Sequence, residues 1–228
     1  MSTRAESLAS SLESVKSRID QAAKSVDRAL EEITLIAVTK TYPASDAEIL
    51  SKLGVTDFGE NRDSEGAEKA ASVVGTWHFQ GQIQSKKLKS IASWASVIHS
   101  IDSLEHLSKL AKALENSGKV MDVFLQLSLD GDSGRGGVLA SDLSPLADFV
   151  VKNPSLALMG LMCVPPVAAE VEESFAKIQM EHLRFLRGYP QAIYLSAGMS
   201  SDFESAIKHG ATHIRVGSEI LGSRSYPQ

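Results

Sequence analysis

The strongest constraint on how this chain can fold is a unit that recurs along it: a short apolar run, a few polar or glycine residues, then a segment with helical spacing. The apolar runs lie at about residues 34–40, 56–59, 75–80, 96–99, 120–128, 156–162, 191–196 and 212–216. Residues 34–39, TLIAVT, are β-rich and almost wholly apolar, as expected of a parallel strand covered on both faces. Eight such strands, each followed by a helix, with no proline- or glycine-rich linker, favour an α/β fold closed as one (β/α)8 TIM-type barrel over an open doubly wound sheet. A length of 228 residues is ordinary for one such barrel, so a single domain over residues 1–228 is expected.

Before the first strand, Leu8, Leu12, Val15, Ile19, Ala22, Val26 and Leu30 recur at steps of three and four. That spacing predicts an extra N-terminal helix within residues 1–32, packed on the barrel by one apolar stripe. Asp102 with Glu105 resembles a capping box for a helix striped by Leu104, Leu107, Leu110 and Leu114 and closed by Gly118. A further helix is expected over about 171–187.

Several function classes are disfavoured. A formal net charge of −5 argues against a general nucleic-acid surface, which needs a basic field. No window reaches the roughly 18–20 apolar residues of a membrane span, and the charged start MSTRAESLASSLESVKSRID is not a secretory signal. Cys163 is the one cysteine and sits among apolar neighbours, which suits an inert buried thiol in a reducing compartment. Cytoplasmic residence is expected. His99, His106, His182, His209 and His213 show no metal spacing, so no metal site is expected.

In a barrel of this kind the strand carboxyl ends and the loops after them build the active face. The residues there are Lys40, 60–62, His78, Arg135, Met162, 196–201 and 215–218, a polar and mostly cationic set. Lys40 at the end of an apolar strand is a candidate amine nucleophile, though a lysine stem crossing the rim to water explains it equally well. Gly198, Ser200 and Ser201 precede a helix whose first turn includes Asp202, which reads as an anion site or as simple capping. Gly217 and Ser218 open a short helix after the last strand, and two such half-sites converging on one phosphate is a familiar barrel arrangement. Arg215 either points into the mouth or pairs with Glu60 or Glu219. His78, in WHFQG, is more often structural, with Trp77 and Phe79 packing outward. The glycine-dense 131–137 loop lacks a nucleotide P-loop ending and reads as a mobile mouth loop, Arg135 being a possible ligand contact.

Six motifs in order carry a resemblance: AVTK (37–40), FGEN (58–61), WHFQGQIQSKK (77–87), GLM (160–162), LSAGMSSDFESAI (195–207) and IRVGSEILG (214–222). On these, the chain resembles the YggS/PROSC family of pyridoxal phosphate homeostasis proteins from about Leu35 onward. The resemblance implies a fold-type III barrel like the N-terminal domain of alanine racemase, with pyridoxal 5′-phosphate (PLP) held as a Schiff base on Lys40. It places the phosphate on Ser200, Gly217 and Ser218, with Ser201 contributing, and turns Arg215 to the pyridine nitrogen. Asn61 and Met199 line the ring's surroundings, and His78 lies nearby. Gln80, Ile83, Lys86 and Ala197 depart from the commoner family wording without touching the lysine or the phosphate groups.

The resemblance implies a protein of vitamin B6 homeostasis that buffers PLP or delivers it to PLP-dependent apoenzymes, with no catalytic residues, and a barrel lacking the dimerising domain suggests a monomer. The competing reading is a PLP-dependent amino-acid racemase. That chemistry needs a second acid/base on the opposite cofactor face; Tyr42 and Tyr226 are the candidates weighed, and the chain ends soon after barrel closure.

Overall fold

The computed structural model describes residues 3–132, 134–166 and 169–222. Its strands are β1 (Thr34–Val38), β2 (Asp57–Glu60), β3 (Thr76–Phe79), β4 (Val97–Ile101), β5 (Met121–Leu127), β6 (Leu156–Cys163), β7 (Tyr194–Met199) and β8 (His213–Val216). All pair in parallel in chain order, and β1 also pairs with β8 to close the barrel. The helices are α1 (Arg4–Lys24), α2 (Ala44–Lys52), α3 (Asp63–Ser72), α4 (Leu88–Trp94), α5 (Leu104–Leu114), α6 (Leu143–Lys152), α7 (Val171–Gly188), α8 (Phe203–Lys208) and α9 (Ser218–Leu221). The (β/α)8 expectation is therefore met.

Successive side chains of a strand point to opposite faces, so each strand feeds two different interiors. Outward residues such as Phe58, Trp77, Ile98, Leu125, Leu161 and Ile214 are buried in the main apolar layer beneath the helices. Trp77 and Phe79 pack outward as expected: Trp77 stacks on Phe58 at 5.0 Å, and both Trp77 and Phe79 meet Trp94 of α4 edge-on. Inward residues fill the lumen. Phe124 and Met162 form a small apolar cluster there, His99 and His213 lie beside Phe124, and His78 lies against both of those histidines.

Helix α1 lies against α2, α8 and α9. Its capping box is formed by Thr3 and Glu6, and Leu8, Leu12, Val15 and Ile19 are buried. Arg18 fastens it by ion pairs to Glu204 at 2.6 Å and Glu219 at 3.0 Å. The helix stops earlier than the stripe suggests. Asp27 adopts a left-handed φ of +53° and Arg28 N–H donates back to the Ala23 carbonyl, so the chain turns away and Val26 and Leu30 are exposed.

Two further expectations are corrected. Ser103, not Asp102, caps α5, its side chain accepting from the His106 N–H; Asp102 instead takes His106 Nδ1 and the Gly137 N–H. Helix α5 ends at Leu114, with Gly118 in the turn beyond. Strand β7 begins three residues later than read and runs through Gly198, because Ala192 N–H closes a turn on Tyr189 before the strand starts. Among the described residues no helix is long and apolar enough to cross a membrane.

Candidate functional site

A cavity of about 620 Å³ opens at the carboxyl ends of the strands. Lys40 from the β1–α2 loop, Asn61 after β2, Met199 at the end of β7 with Ser200 and Ser201 just beyond it, Arg215 of β8, and Gly217 and Ser218 after that strand all line it. Eight of the nine residues singled out from the sequence as cofactor contacts thus meet in one place.

The local chain explains the position of Lys40. Ile36, Val38 and Lys40 share one face of β1 and its continuation, and Ile36 pairs with Arg215 across the β1–β8 seam. Strand β1 ends at Val38, and a last ladder bond runs from Thr39 N–H to the Gly59 carbonyl at 3.0 Å. Thr41 then takes a left-handed φ of +69°, which turns the chain toward α2. The lysine is left on the mouth wall.

The loops after β7 and β8 touch. Gly217 N–H donates to Ser200 Oγ at 3.2 Å. Neither Ser200 nor Ser201 caps α8; Asp202 holds the position before it, and its carboxylate accepts the Met199 N–H at 2.6 Å. Asp202 is thus outside the helix's first turn. Gly198 is required at φ +91°, because a Cβ there would stand 2.6 Å from that of Ala206. The Ser218 and Glu219 N–H groups lie in the first turn of α9, where a helix offers them no internal partner. Hydroxyls and amides converging on one corner suit an anion.

Arg215 forms neither of the ion pairs considered. Glu60 bonds Lys69, and Glu219 bonds Arg18. The buried guanidinium donates from Nη1 to Ser196 Oγ at 2.8 Å and from Nη2 to the Cys163 carbonyl at 3.2 Å. Burial drives its pKa down to about 10, yet it remains a cation at neutral pH. An arginine can only donate, so Ser196 Oγ accepts from it. His99 Nδ1 lies 2.9 Å from Ser196 Oγ, His99 Nε2 lies 2.9 Å from His78 Nδ1, and His78 Nε2 lies 3.0 Å from Asp57 Oδ1. The Asp57 carboxylate can only accept, so with both imidazoles neutral His78 and His99 carry the proton on Nε2 and the Ser196 hydroxyl donates to His99 Nδ1. Burial pushes Asp57 up, but hydrogen bonds from His78 and Thr56 outweigh it and hold the carboxyl below its usual range. Burial, and after it the neighbouring positive charge of Arg215, keeps His99 well below an ordinary histidine and hence neutral.

His78 therefore needs correcting as a direct contact. It is buried in the lumen, does not line the cavity, and reaches Arg215 only through His99 and Ser196. Arg135 is also elsewhere: it pairs with Asp130 and Asp132 and donates to the Pro165 carbonyl at 3.1 Å. Tyr226 lies outside the described residues. Sequence reasoning missed Gln80, which lines the cavity and whose Nε2 is buried with no hydrogen-bond partner. Its alternation with Phe79 on β3 was the available signal. Tyr42 also lines the cavity and donates its hydroxyl to the Gly222 carbonyl at 2.6 Å.

Residues 11–225 match the family described as alanine racemase, N-terminal domain. The chain is 40% identical over 240 residues to the pyridoxal phosphate homeostasis protein of Mycobacterium leprae, covering 96% of this chain and 93% of that one. It is 34% identical to the Escherichia coli K12 protein of the same name, covering 96% and 97%. Among solved structures, PipY of Synechococcus elongatus with PLP bound superposes with a TM-score of 0.79 at 28% identity, over 90% of this chain and 100% of that one. Alanine racemase from Corynebacterium glutamicum shares the fold at 14% identity, with a TM-score of 0.71 over 94% of this chain and 60% of that one.

Proposed function

The chain belongs to the pyridoxal phosphate homeostasis protein family, on the barrel of the alanine racemase N-terminal domain, and from that membership we propose that it binds PLP through Lys40 and buffers or delivers it. The observation that carries this reading is the convergence on one cavity of a lysine, a hydroxyl-and-amide corner and a buried guanidinium. These groups fit the three ends of the cofactor: an aldehyde, a phosphate and a ring nitrogen.

When bound, PLP supplies an aldehyde that condenses reversibly with a primary amine. Lys40 offers that amine from the mouth wall. Ser200, Ser201 and Ser218 would hold the phosphate by hydroxyls and by the Ser218 amide, which the start of α9 leaves without a helical partner, while Gly217, whose N–H bonds Ser200 Oγ, brings the two loops together. Arg215 faces the ring nitrogen as a donor and does not surrender its proton, which leaves the ring a weak electron sink. Asn61 and Met199 border the ring. This set suits holding the cofactor until an incoming amine displaces Lys40.

The reading includes PLP-dependent apoenzymes as recipients, a monomeric state and cytoplasmic residence, the last supported by a lone buried cysteine. Racemisation would need a second acid/base. Tyr42 is the nearest candidate in sequence, and its hydroxyl is already committed to the Gly222 carbonyl.

Titration of the protein with PLP, followed by visible absorbance and with D-alanine formation from L-alanine assayed in parallel, tests the proposal. A new visible band in the native protein, its loss in Lys40→Ala and no racemisation are expected. Absence of any band would overturn the carrier reading, and robust racemisation would replace it with the enzyme.

A further inference from the structure

The two peptide groups that flank Lys40 are both held by one buried ion cluster centred on α3. Lys69 Nζ, on a side chain only 4% exposed, donates to the Thr39 carbonyl at 2.7 Å and to Glu60 Oε1 at 2.5 Å. On the other side of Lys40, the Thr41 N–H donates to Glu65 Oε2 at 2.7 Å. The cluster is closed by the Thr39 hydroxyl, which donates to Glu60 Oε1 at 2.7 Å, and by Glu65 Oε2 lying 3.8 Å from Lys69 Nζ. Lys69 and Glu65 thus grip the backbone immediately before and after the lysine, and Glu60 holds Lys69 and the Thr39 hydroxyl in place.

A buried ion pair is a poor way to gain stability, since apolar side chains of similar volume usually do as well or better. Glu60 is wholly buried and its Oε2 has no hydrogen-bond partner. The geometry supplies another reason for the cluster. Strand β1 has ended, so the sheet no longer holds the chain, and Thr41 sits in a left-handed conformation that a β-branched residue strongly disfavours. Such a conformation persists only where its surroundings over-determine it. The turn's own bond from the Tyr42 N–H to the Thr39 carbonyl, at 3.0 Å, and the side chains of Glu65 and Lys69, the latter held by Glu60, together fix it.

We propose that Glu60, Lys69 and Glu65 are positioning residues for Lys40: they set the backbone from which its amine meets the aldehyde, without touching the cofactor. The inference rests on the carrier reading above. It predicts that damage to the cluster separates covalent capture from phosphate recognition, because the Ser200–Gly217 corner belongs to strands on the other side of the β1–β8 seam.

The test compares PLP with pyridoxine 5′-phosphate, which has the phosphate and ring but no aldehyde. The variants are Glu65→Ala, which removes only the acceptor of the Thr41 amide, and the paired Glu60→Gln/Lys69→Met, which removes both buried charges together. Affinity for pyridoxine 5′-phosphate should stay within about twofold, while the rate of covalent capture of PLP falls about tenfold or more, a loss typical of a displaced reacting group. In the ligand-free protein, hydrogen exchange at the Thr41 amide should quicken in Glu65→Ala, a readout that needs no cofactor. Unchanged capture with a faster-exchanging Thr41 amide would overturn the proposal, as would equal weakening of both ligands. If the unmodified protein captures no PLP, the carrier reading itself fails; the exchange measurement would still report whether the clamp exists. If the paired variant does not fold, Glu65→Ala alone decides.

Discussion

Arg215 donates to the Ser196 hydroxyl at 2.8 Å, and that serine heads a row of buried polar side chains that runs through His99 and His78 to Asp57. The Asp57 carboxylate can only accept, so with both imidazoles neutral His78 donates to Asp57, His99 donates to His78 and Ser196 donates to His99. Ser196→Ala should remove the acceptor that holds one arm of the buried guanidinium. A destabilisation of about 1–3 kcal/mol is expected for leaving buried polar groups unpaired, together with weaker retention of PLP, measured by chemical denaturation and by equilibrium dialysis. Nitrogen chemical shifts of the imidazoles should show the Nε2–H tautomer for both His78 and His99 in the native protein. An Nδ1–H tautomer at His99 would show the chain running the other way.

The lumen histidines also predict an acid limb. Burial is the first cause that drives His213 down from 6.5 to about 4, and His99 moves in the same direction. For a histidine whose folded value is depressed, the unfolded chain binds the proton first as pH falls. Stability is therefore full above pH 6.5, declines between 6.5 and about 4, and levels off below that as far as His213 is concerned. The contribution from His213 is at most about 3 kcal/mol. Denaturant midpoints across that range should fall with pH, and His213→Gln should flatten the slope.

Cys163 should be chemically silent. Burial pushes its thiol up to about 12, outweighing the nearby positive charges of Arg215 and Arg135. The native protein at pH 8 should leave a disulfide-exchange reagent unreacted for hours, and unfolding should release one thiol per chain. Rapid titration of the native protein would contradict the packing described.

Gly198 tests the phosphate corner. It sits at φ +91°, and an added Cβ would meet Ala206 Cβ at 2.6 Å and Phe203 Cα at 3.0 Å. Gly198→Ala should cost about 1–3 kcal/mol and shift the Met199–Ser201 backbone. Affinity for pyridoxine 5′-phosphate should fall, the opposite pattern to the clamp variants around Lys40.

The barrel and its mouth were legible because they are written locally. Repeating apolar runs mark strands, and the ends of those strands gather Lys40, Ser200 and Gly217 in one place without any knowledge of long-range packing. What escaped notice depends on partners distant in the chain. The role of His78 turns on His99 and Asp57, each 21 residues away, and on a lumen that no periodicity describes. Lys69 looks like an ordinary helix-surface charge until its buried pairing with Glu60 at the end of β2 is seen. Helix α1 ended early because Asp27 could adopt a left-handed turn, which an apolar stripe continuing past it does not reveal. Ser103 displaced Asp102 as the α5 cap because Asp102 was engaged by His106 and the Gly137 amide.

The most direct test of the central claim is to reduce the PLP-loaded protein with borohydride, digest it and weigh the peptides. The account predicts a stable pyridoxyl-phosphate adduct on the peptide containing Lys40 and on no other lysine peptide. An adduct found mainly on another lysine, or none at all in a protein that retains its fold, would contradict it.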